Sequence, residues 1–297
     1  MKQSKFTNFP AISREEWLSK ITNEYRGKKS ISDLYLHNDN ITRHPFHHPS
    51  DIYQKFRIDS FPNTYSCGIK YSTEMPLSTL LALLEAGVSN LYIEKDIPWK
   101  PELENKIRWD YLNTTIINNN EFYEKLVAHA ENNDWKIEDR LCFSTSEKNI
   151  NINLNNIATS DNSIDSLINN IRYRNDLEII EFHLSDHFLF NIGFIRGLIK
   201  FFNGLVKSPK VIGFCTSQAD NSETSLIKET TQMVSARLAG IPSIFLSYSV
   251  SEEIYLHKAM IPHILDLESK LIFSEDPITG SQYLDHLSNQ VYHLLLS

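Results

Sequence analysis

The chain has 297 residues, 41% hydrophobic and 11% aromatic, which is enough to bury the core of one large domain or two small ones. A formal net charge of -8 and the lack of a basic stripe argue against a nucleic-acid surface. The N-terminus has no apolar signal-peptide core, and no apolar run reaches the roughly 20 residues of a membrane span. Three cysteines without CxxC spacing predict reduced, buried thiols in a cytoplasmic protein, with no disulfide framework.

The first 50 residues differ in pattern from the rest. Ser13 followed by Glu16 predicts a capped helix start, and Gly27 predicts its end. The polar stretch after this helix, residues 32–51, shows no core pattern and predicts an extended arm that lies over a surface. We therefore expect an N-terminal helix and arm over 1–50 and one main domain over 51–297.

From about residue 65, strand and helix patterns alternate. Apolar runs without strict alternation, typical of parallel strands buried on both faces, predict strands at 67–72, 90–95, 111–118, 139–144, 151–158, 178–185, 211–217, 243–250 and 270–275. Helical spacing with start and stop signals predicts helices at 76–87, 120–132, 186–203, 220–240, 252–267 and 281–296. In the last helix, the predicted buried face comprises Tyr283, Leu284, Leu287, Val291 and Leu294.

Eight or nine strands, most of them followed by a helix, predict an α/β fold. They match a (β/α)8 TIM barrel, which takes roughly 250 residues. An open doubly wound sheet is the alternative, but no glycine-rich phosphate turn follows any strand and the chain has only 9 glycines. The predicted fold is therefore a TIM barrel with an extended N-terminal arm.

In such a barrel, functional residues lie at the C-terminal ends of the strands. The candidate substrate-binding residues at this mouth are Tyr71, Ser72, His183, Thr216, Ser217, Gln218 and Tyr248. They form no complete catalytic set, and neither a GxSxG elbow nor a P-loop exists in the sequence. We therefore predict a polar mouth compatible with ligand binding, and assign no catalytic and no metal-binding residue.

Two other chemistries are conceivable at the same mouth. Glu94 and Glu181 could form the carboxylate pair of a hydrolase, but Lys95 could pair with Glu94, and the strand position of Glu181 suggests that its side chain faces outward. The thiol of Cys215 could act with His183 as base, but a thiol inside a buried strand is expected to be inert.

A histidine cluster in the arm suggests a metal site. His44, His47 and His48, with His37 nearby, supply imidazoles that zinc prefers. Two prolines hold this stretch extended, however, so that successive rings should diverge. We favour a surface-lying arm over a metal site.

Four segments carry a resemblance to a known family. In the arm, a tryptophan helix and an extended segment contribute Trp17, Asp33, Leu34, Ile41, Pro45 and Phe46. "FHLSDHFLFNIGFIRGLIKFF" contributes Ile192 and Arg196, and "TSQADNSETSLIKETTQMVSARLAG" contributes Thr216, Ser217, Thr230 and Gly240. The most specific segment, "ESKLIFSEDPITGSQY", contributes Glu268, Ser269, Asp276, Pro277, Gly280, Ser281 and Tyr283. In these motifs the chain resembles the N-terminal barrel half of methylmalonyl-CoA mutase, and in particular its small, non-catalytic (beta) subunit.

The resemblance spans roughly residues 12–295 and implies a TIM barrel. In the family, the barrel cradles a coenzyme A thioester and a separate domain presents adenosylcobalamin, which starts the radical interconversion of methylmalonyl-CoA and succinyl-CoA. The resemblance thus implies an isomerase subunit in a cytoplasmic heterodimer, whose arm contacts a cobalamin-binding large subunit.

The departures from the family pattern point to a chain without activity of its own. No "RQYAG" substrate segment lies near residues 65–72, and no "DxHxxG" cobalamin motif exists, since His187 directly follows Asp186. The second arginine of the "AKLRAxR" helix is Ile199. We therefore expect that this chain binds no cofactor. The alternative is a stand-alone barrel that binds an acyl-CoA or another small ligand without radical chemistry.

Overall fold

A computed structural model of the protein describes residues 12–297, except 27, 39, 46, 49, 52, 60, 63, 160–163, 175, 206, 217–221, 248–250 and 270–274. Its strands are β1 (Leu36–Asn38), β2 (Ile41–Arg43), β3 (Ser66–Lys70), β4 (Asn90–Ile93), β5 (Asn113–Ile117), β6 (Leu141–Ser144), β7 (Asn149–Asn153), β8 (Ile179–His183), β9 (Lys210–Phe214) and β10 (Ser243–Leu246). Its helices are α1 (Arg14–Glu24), α2 (Leu77–Glu85), α3 (Pro101–Lys106), α4 (Asn120–Asn132), α5 (Leu154–Thr159), α6 (Ile164–Arg172), α7 (Phe188–Asn203), α8 (Ser222–Ala239), α9 (Glu252–Leu267) and α10 (Gln282–Leu296).

Strands β3 to β10 form one eight-stranded sheet in the order β6-β5-β4-β3-β10-β9-β8-β7. All neighbouring strands in this sheet are parallel. Because β3 pairs with β10, the first and last strands of the series lie side by side, and the sheet curls into a nearly closed barrel with helices outside. The prediction of an α/β, TIM-like barrel is confirmed.

The regular alternation of strand and helix is interrupted between β6 and β7. A single 3-10 turn, Ser146–Lys148, joins these strands where other connections carry a helix. The strand pairs found in the described part of the chain do not include a β6–β7 ladder. The Ser144 hydroxyl instead bridges this seam, 2.9 Å from Oδ1 of Asn149 and 2.8 Å from Oε2 of Glu178.

One predicted strand is partly wrong. The pattern at 151–158 suggests a single strand, whereas β7 ends at Asn153 and α5 begins at the next residue. The reason is a change of period, because Leu154, Ile157 and Ala158 are the buried residues and their spacing is helical. The predicted strand at 270–275 lies almost wholly outside the described residues.

The arm packs on the protein's own barrel. Strands β1 and β2 form an antiparallel hairpin in which Ile41 is fully buried, so the expectation of an arm without core residues is wrong at this position. The side chain of Gln290 on α10 accepts from the Thr42 amide at 2.8 Å and donates to its carbonyl at 3.0 Å. The buried side chain of Ile41 and the two hydrogen bonds between Gln290 and the Thr42 backbone therefore hold the hairpin against α10.

Helix α10 closes the barrel against α7. Leu284, Leu287 and Val291 are buried as predicted, and Gly280 takes a positive φ of +99° in the turn before the helix. Helix α7 approaches closely, since a Cβ added at Gly197 would lie 2.8 Å from the carbonyl oxygen of Ser288. Among the described helices, none is both long and apolar enough to cross a membrane.

Candidate functional site

A cavity of about 550 Å³ opens among the C-terminal ends of the barrel strands. We call it the mouth cavity. Its lining comprises Lys70, Ser72, Glu94, Asn151, Glu181, His183, Phe214, Cys215, Thr216, Leu246 and Ser247. The size is within the usual range of roughly 300–1,000 Å³ for small-molecule sites, and the position is the one that barrel enzymes use.

The structure brings three of the sequence-derived mouth residues together. Ser72, His183 and Thr216 all line the mouth cavity. Tyr71 is buried in the main hydrophobic core between two lining residues, because neighbours in an extended chain point to opposite faces. The remaining candidates, Ser217, Gln218 and Tyr248, lie outside the described residues.

Glu181 faces the barrel interior, which corrects the expectation that it points outward. Its neighbours on β8, Ile180 and Phe182, lie in the outer core, so the alternation of the strand turns Glu181 inward. It is 5% exposed, and its Oε1 accepts a hydrogen bond from the Tyr92 hydroxyl. Burial raises the pKa of Glu181 and Glu94 adds to the rise, while the Tyr92 hydrogen bond opposes it.

Glu94 pairs with Lys70 across the mouth, at 2.6 Å, and not with its sequence neighbour Lys95. Lys70 and Glu94 end adjacent parallel strands and point to the same side. Both side chains are about half exposed, at 46% and 48%, so water screens the pair and its contribution to stability is small. Sequence reasoning missed Lys70. Side chains alternate along an extended segment, so Lys70 points to the same side as Ser72, two residues further on.

His183 is held as a neutral imidazole. Its ring stacks on Phe214 with centroids 5.2 Å apart. Burial lowers the pKa of His183, and the Lys70 charge lowers it further, while Glu94 acts in the opposite direction. A neutral imidazole beside a buried carboxyl group can donate or accept hydrogen bonds at physiological pH.

An aromatic layer forms the floor of the mouth cavity. The rings of Tyr92, Phe214 and Phe245 lie 5.0 to 5.7 Å apart and fill the middle of the barrel. Below them, at the N-terminal strand ends, a second cavity of about 430 Å³ is lined by polar groups such as Asn90 and Lys210. The layer thus divides the barrel interior into two chambers.

A buried polar cluster lies behind the mouth cavity. The Lys258 ammonium is 2.6 Å from Oε1 of Glu229, and the two side chains are 2% and 0% exposed. The Ser247 hydroxyl donates to the same carboxylate oxygen, and Lys258 lies 3.3 Å from this hydroxyl. No sequence signal linked these residues, since Glu229 and Lys258 lie on different helices.

The cysteine chemistry considered from the sequence finds no support in the fold. Cys215 is 3% exposed, and its sulfur lies 3.9 Å from the backbone carbonyl oxygen of Glu229. Burial raises the pKa of this thiol well above its usual value, so the reactive thiolate is disfavoured. Cys67 is also buried, as predicted, whereas Cys142 is half-buried.

The arm histidines form a stacked cluster in place of a metal site. His44 stacks on Tyr35 at 4.6 Å, and His44 and His47 lie 5.1 and 6.2 Å from His286 of α10. His48 turns away, with Nε2 3.1 Å from the carbonyl oxygen of Ile12. Within the part of the chain that the structure describes, no three His, Cys, Asp or Glu side chains are arranged to hold a metal ion.

This cluster should make arm docking sensitive to acid. Burial lowers the pKa values of His44 and His47 and lowers that of His286 to about 4. Because the pKa values of the docked histidines lie below the free value of about 6.5, the docked, neutral state is favoured at pH values above about 6.5. This preference is lost as the pH falls toward 4. The nearby Asp51 carboxylate opposes the effect only in part.

We expect amide exchange of residues 36–43 to accelerate between pH 7 and pH 5, after correction for intrinsic rates. The variant His286→Phe, which keeps an aromatic ring without a titrating group, should show a weaker acceleration. Equal protection of the wild type at both pH values would contradict the prediction.

No protein-family model matches the chain, and no curated protein is significantly similar to it.

Proposed function

We propose that the protein is a small-subunit-like component of a methylmalonyl-CoA mutase, an isomerase, and that it supports a cobalamin-binding large subunit without reacting itself. One observation carries the proposal. Arg196 and Asp276, which come from two separate segments of the family resemblance, form a fully buried ion pair with an Nη2–Oδ2 distance of 2.7 Å. Residues matched independently to one family pattern thus act together in this fold.

The aromatic layer supports the non-catalytic part of the proposal. A barrel that cradles a coenzyme A thioester needs room along its interior. Here Tyr92, Phe214 and Phe245 occupy the middle of the barrel with their rings in contact. The mouth cavity therefore ends on a floor of side chains, and a long acyl-CoA could not pass through the barrel.

The surroundings of His187 support a cofactor that is held by the partner subunit and not by this chain. His187, the histidine nearest in pattern to a cobalt-ligating motif, occupies the N-cap position of α7 without a side-chain capping hydrogen bond. The preceding Asp186 is 2.7 Å from the Lys228 ammonium and accepts from Gln232 at 3.2 Å. In this proposal the cofactor belongs to the partner subunit, and no chemical step runs through this chain.

Helix α1 is the proposed contact with the large subunit. No residue of this helix is buried against the protein's own barrel. Its attachment to the described remainder of the arm includes Arg14, which lies 2.9 Å from Asp51, and Trp17, whose ring lies 5.7 Å from that of His48. An amphipathic capped helix in this position can pack on a second protein without disturbing the barrel core.

Co-expression with a cobalamin-binding mutase large subunit from the same genome tests this proposal. We expect a 1:1 complex by size-exclusion chromatography with light scattering. A variant without residues 1–26 should stay folded, since the helix it lacks buries no residue, but should fail to form the complex. Two separate monomers in the full-length mixture would refute the subunit role, and unchanged binding of the shortened variant would refute the role of α1.

The mouth cavity favours a second candidate function, a barrel that binds a small ligand by itself. The supporting observation is a carboxyl group, Glu181, that is 5% exposed and lines a cavity of about 550 Å³. A specific ligand well above its dissociation constant should raise the unfolding free energy by about 2–4 kcal/mol. Thermal-shift series with acyl-CoA thioesters and small polar molecules test this candidate, and no shift with any class would remove its support.

A further inference from the structure

We infer that the mouth cavity binds a small molecule with a primary ammonium group, held by the carboxylate of Glu181 and the hydroxyl oxygens of Thr216 and Ser247. This inference rests on the second candidate function and is independent of the subunit role. The hydrogen bonds that these three groups already make determine what a ligand must donate.

The hydroxyl groups of Ser247 and Thr216 already donate their hydrogens within the protein, so toward a ligand they can act only as acceptors. Ser247 donates its proton to Glu229, whose carboxylate can only accept, and the Lys258 ammonium lies 3.3 Å from the same hydroxyl oxygen. Thr216 donates its proton to the carbonyl oxygen of Leu184 at 2.6 Å. A ligand that touches either oxygen must therefore supply the hydrogen.

Glu181 adds a carboxylate oxygen, Oε2, that is free to accept a hydrogen bond. Tyr92 occupies Oε1, and within the described part of the chain no group donates to Oε2. The side chain lines the cavity although the residue is 5% exposed, so this oxygen meets a ligand in a largely dry environment. A hydrogen bond from a charged donor is strongest in such surroundings.

The charge of the lining favours a cation. Of the charged residues that line the cavity, Lys70 and Glu94 pair with each other at 2.6 Å, and among the described residues no cation forms an ion pair with the carboxyl group of Glu181. An ammonium group would supply a counter-ion. A carboxylate or phosphate ligand would instead place a second negative charge beside it.

The apolar part of the lining limits the rest of the ligand. Phe214, Cys215 and Leu246 provide a largely apolar wall. A short hydrocarbon chain suits this wall, and an ammonium group suits the acceptors. The expected class is therefore a small alkylamine or amino alcohol.

Isothermal titration calorimetry with butylamine, 1-butanol and butyrate tests the inference at pH 7.5, in buffers free of amines. We expect saturable binding of the amine and none of the alcohol or acid. Glu181→Gln should weaken amine binding about tenfold or more, because the charged hydrogen bond is lost. The matched control Glu121→Gln, at an exposed position of α4, should bind as the wild type does.

Thr216→Val provides a second variant of almost unchanged shape, and it should also weaken amine binding. Equal binding of 1-butanol, or binding of butyrate without the amine, would overturn the inference while leaving a ligand-binding mouth in place. No binding of any ligand class would overturn both.

Discussion

Replacing Asp276 by asparagine should lower the unfolding free energy by about 3–5 kcal/mol, because it removes the counter-ion of a buried guanidinium group. The side chains of Arg196 and Asp276 are 0% and 1% exposed. Arg196 also donates to the carbonyl oxygen of Phe56 at 3.3 Å, and the amide of Ile58 donates to Asp276 at 3.2 Å. The pair therefore ties the segment before the first barrel strand to α7 and to the turn before α10.

Urea unfolding followed by circular dichroism measures this loss. Asp110→Asn is the matched control, since it breaks an arginine–aspartate pair of the same 2.7 Å distance whose Arg108 side chain is 59% exposed. The control should change stability by less than about 1 kcal/mol. If both variants lost the same small amount, the buried pair would not hold the segment before β3 and the closing turn together.

The same pair should make the unfolding free energy decrease as the pH falls into the acid range. Burial alone would raise the pKa of Asp276, but the hydrogen bonds and charge of Arg196 outweigh it and hold the pKa below its usual value. A depressed carboxyl pKa stabilises the fold above the unfolded value of about 3.9, and this contribution is lost as the pH falls through the folded value. Asp276→Asn should therefore flatten the loss of stability below about pH 4.

The barrel could be predicted from the sequence because its signals are local. Helices α4 and α9 lie at the predicted residues, 120–132 and 252–267, since their caps and helical spacing are complete within one stretch of chain. The hairpin of the arm was missed because, among its described residues, only Ile41 is a buried core residue, and its partner surface is formed far along the chain. The direct passage from β6 to β7 depends on barrel closure, which no local pattern encodes.

The mouth was predictable only in part for the same reason. The rule that function lies at strand C-termini located Ser72, His183 and Thr216. Whether the Glu181 side chain points inward depends on which residues of β8 the helices cover. That Lys70 pairs with Glu94 depends on which strands are neighbours in the sheet. Side-chain pairs that form across the sheet cannot be predicted from adjacent letters of the sequence.

Replacing Lys258 by methionine should cost about 3–5 kcal/mol of unfolding free energy, because the carboxylate of Glu229 would remain buried without its counter-ion. Glu229 is 0% exposed, and only the hydroxyl groups of Ser225 and Ser247 would still donate to it among the described residues. Methionine has nearly the length of lysine, so the loss reports charge more than volume. Thermal and urea unfolding of the pure protein measure the effect.

A double-mutant cycle with Glu229→Gln separates the charge pair from the packing around it. The double variant should recover most of the stability that Lys258→Met loses, since a neutral amide can stay buried and still accept from Ser247. Lys70→Met, at the half-exposed Lys70–Glu94 pair, serves as the control and should change stability by less than about 1 kcal/mol. Additive losses in the cycle would mean that Lys258 and Glu229 are not coupled.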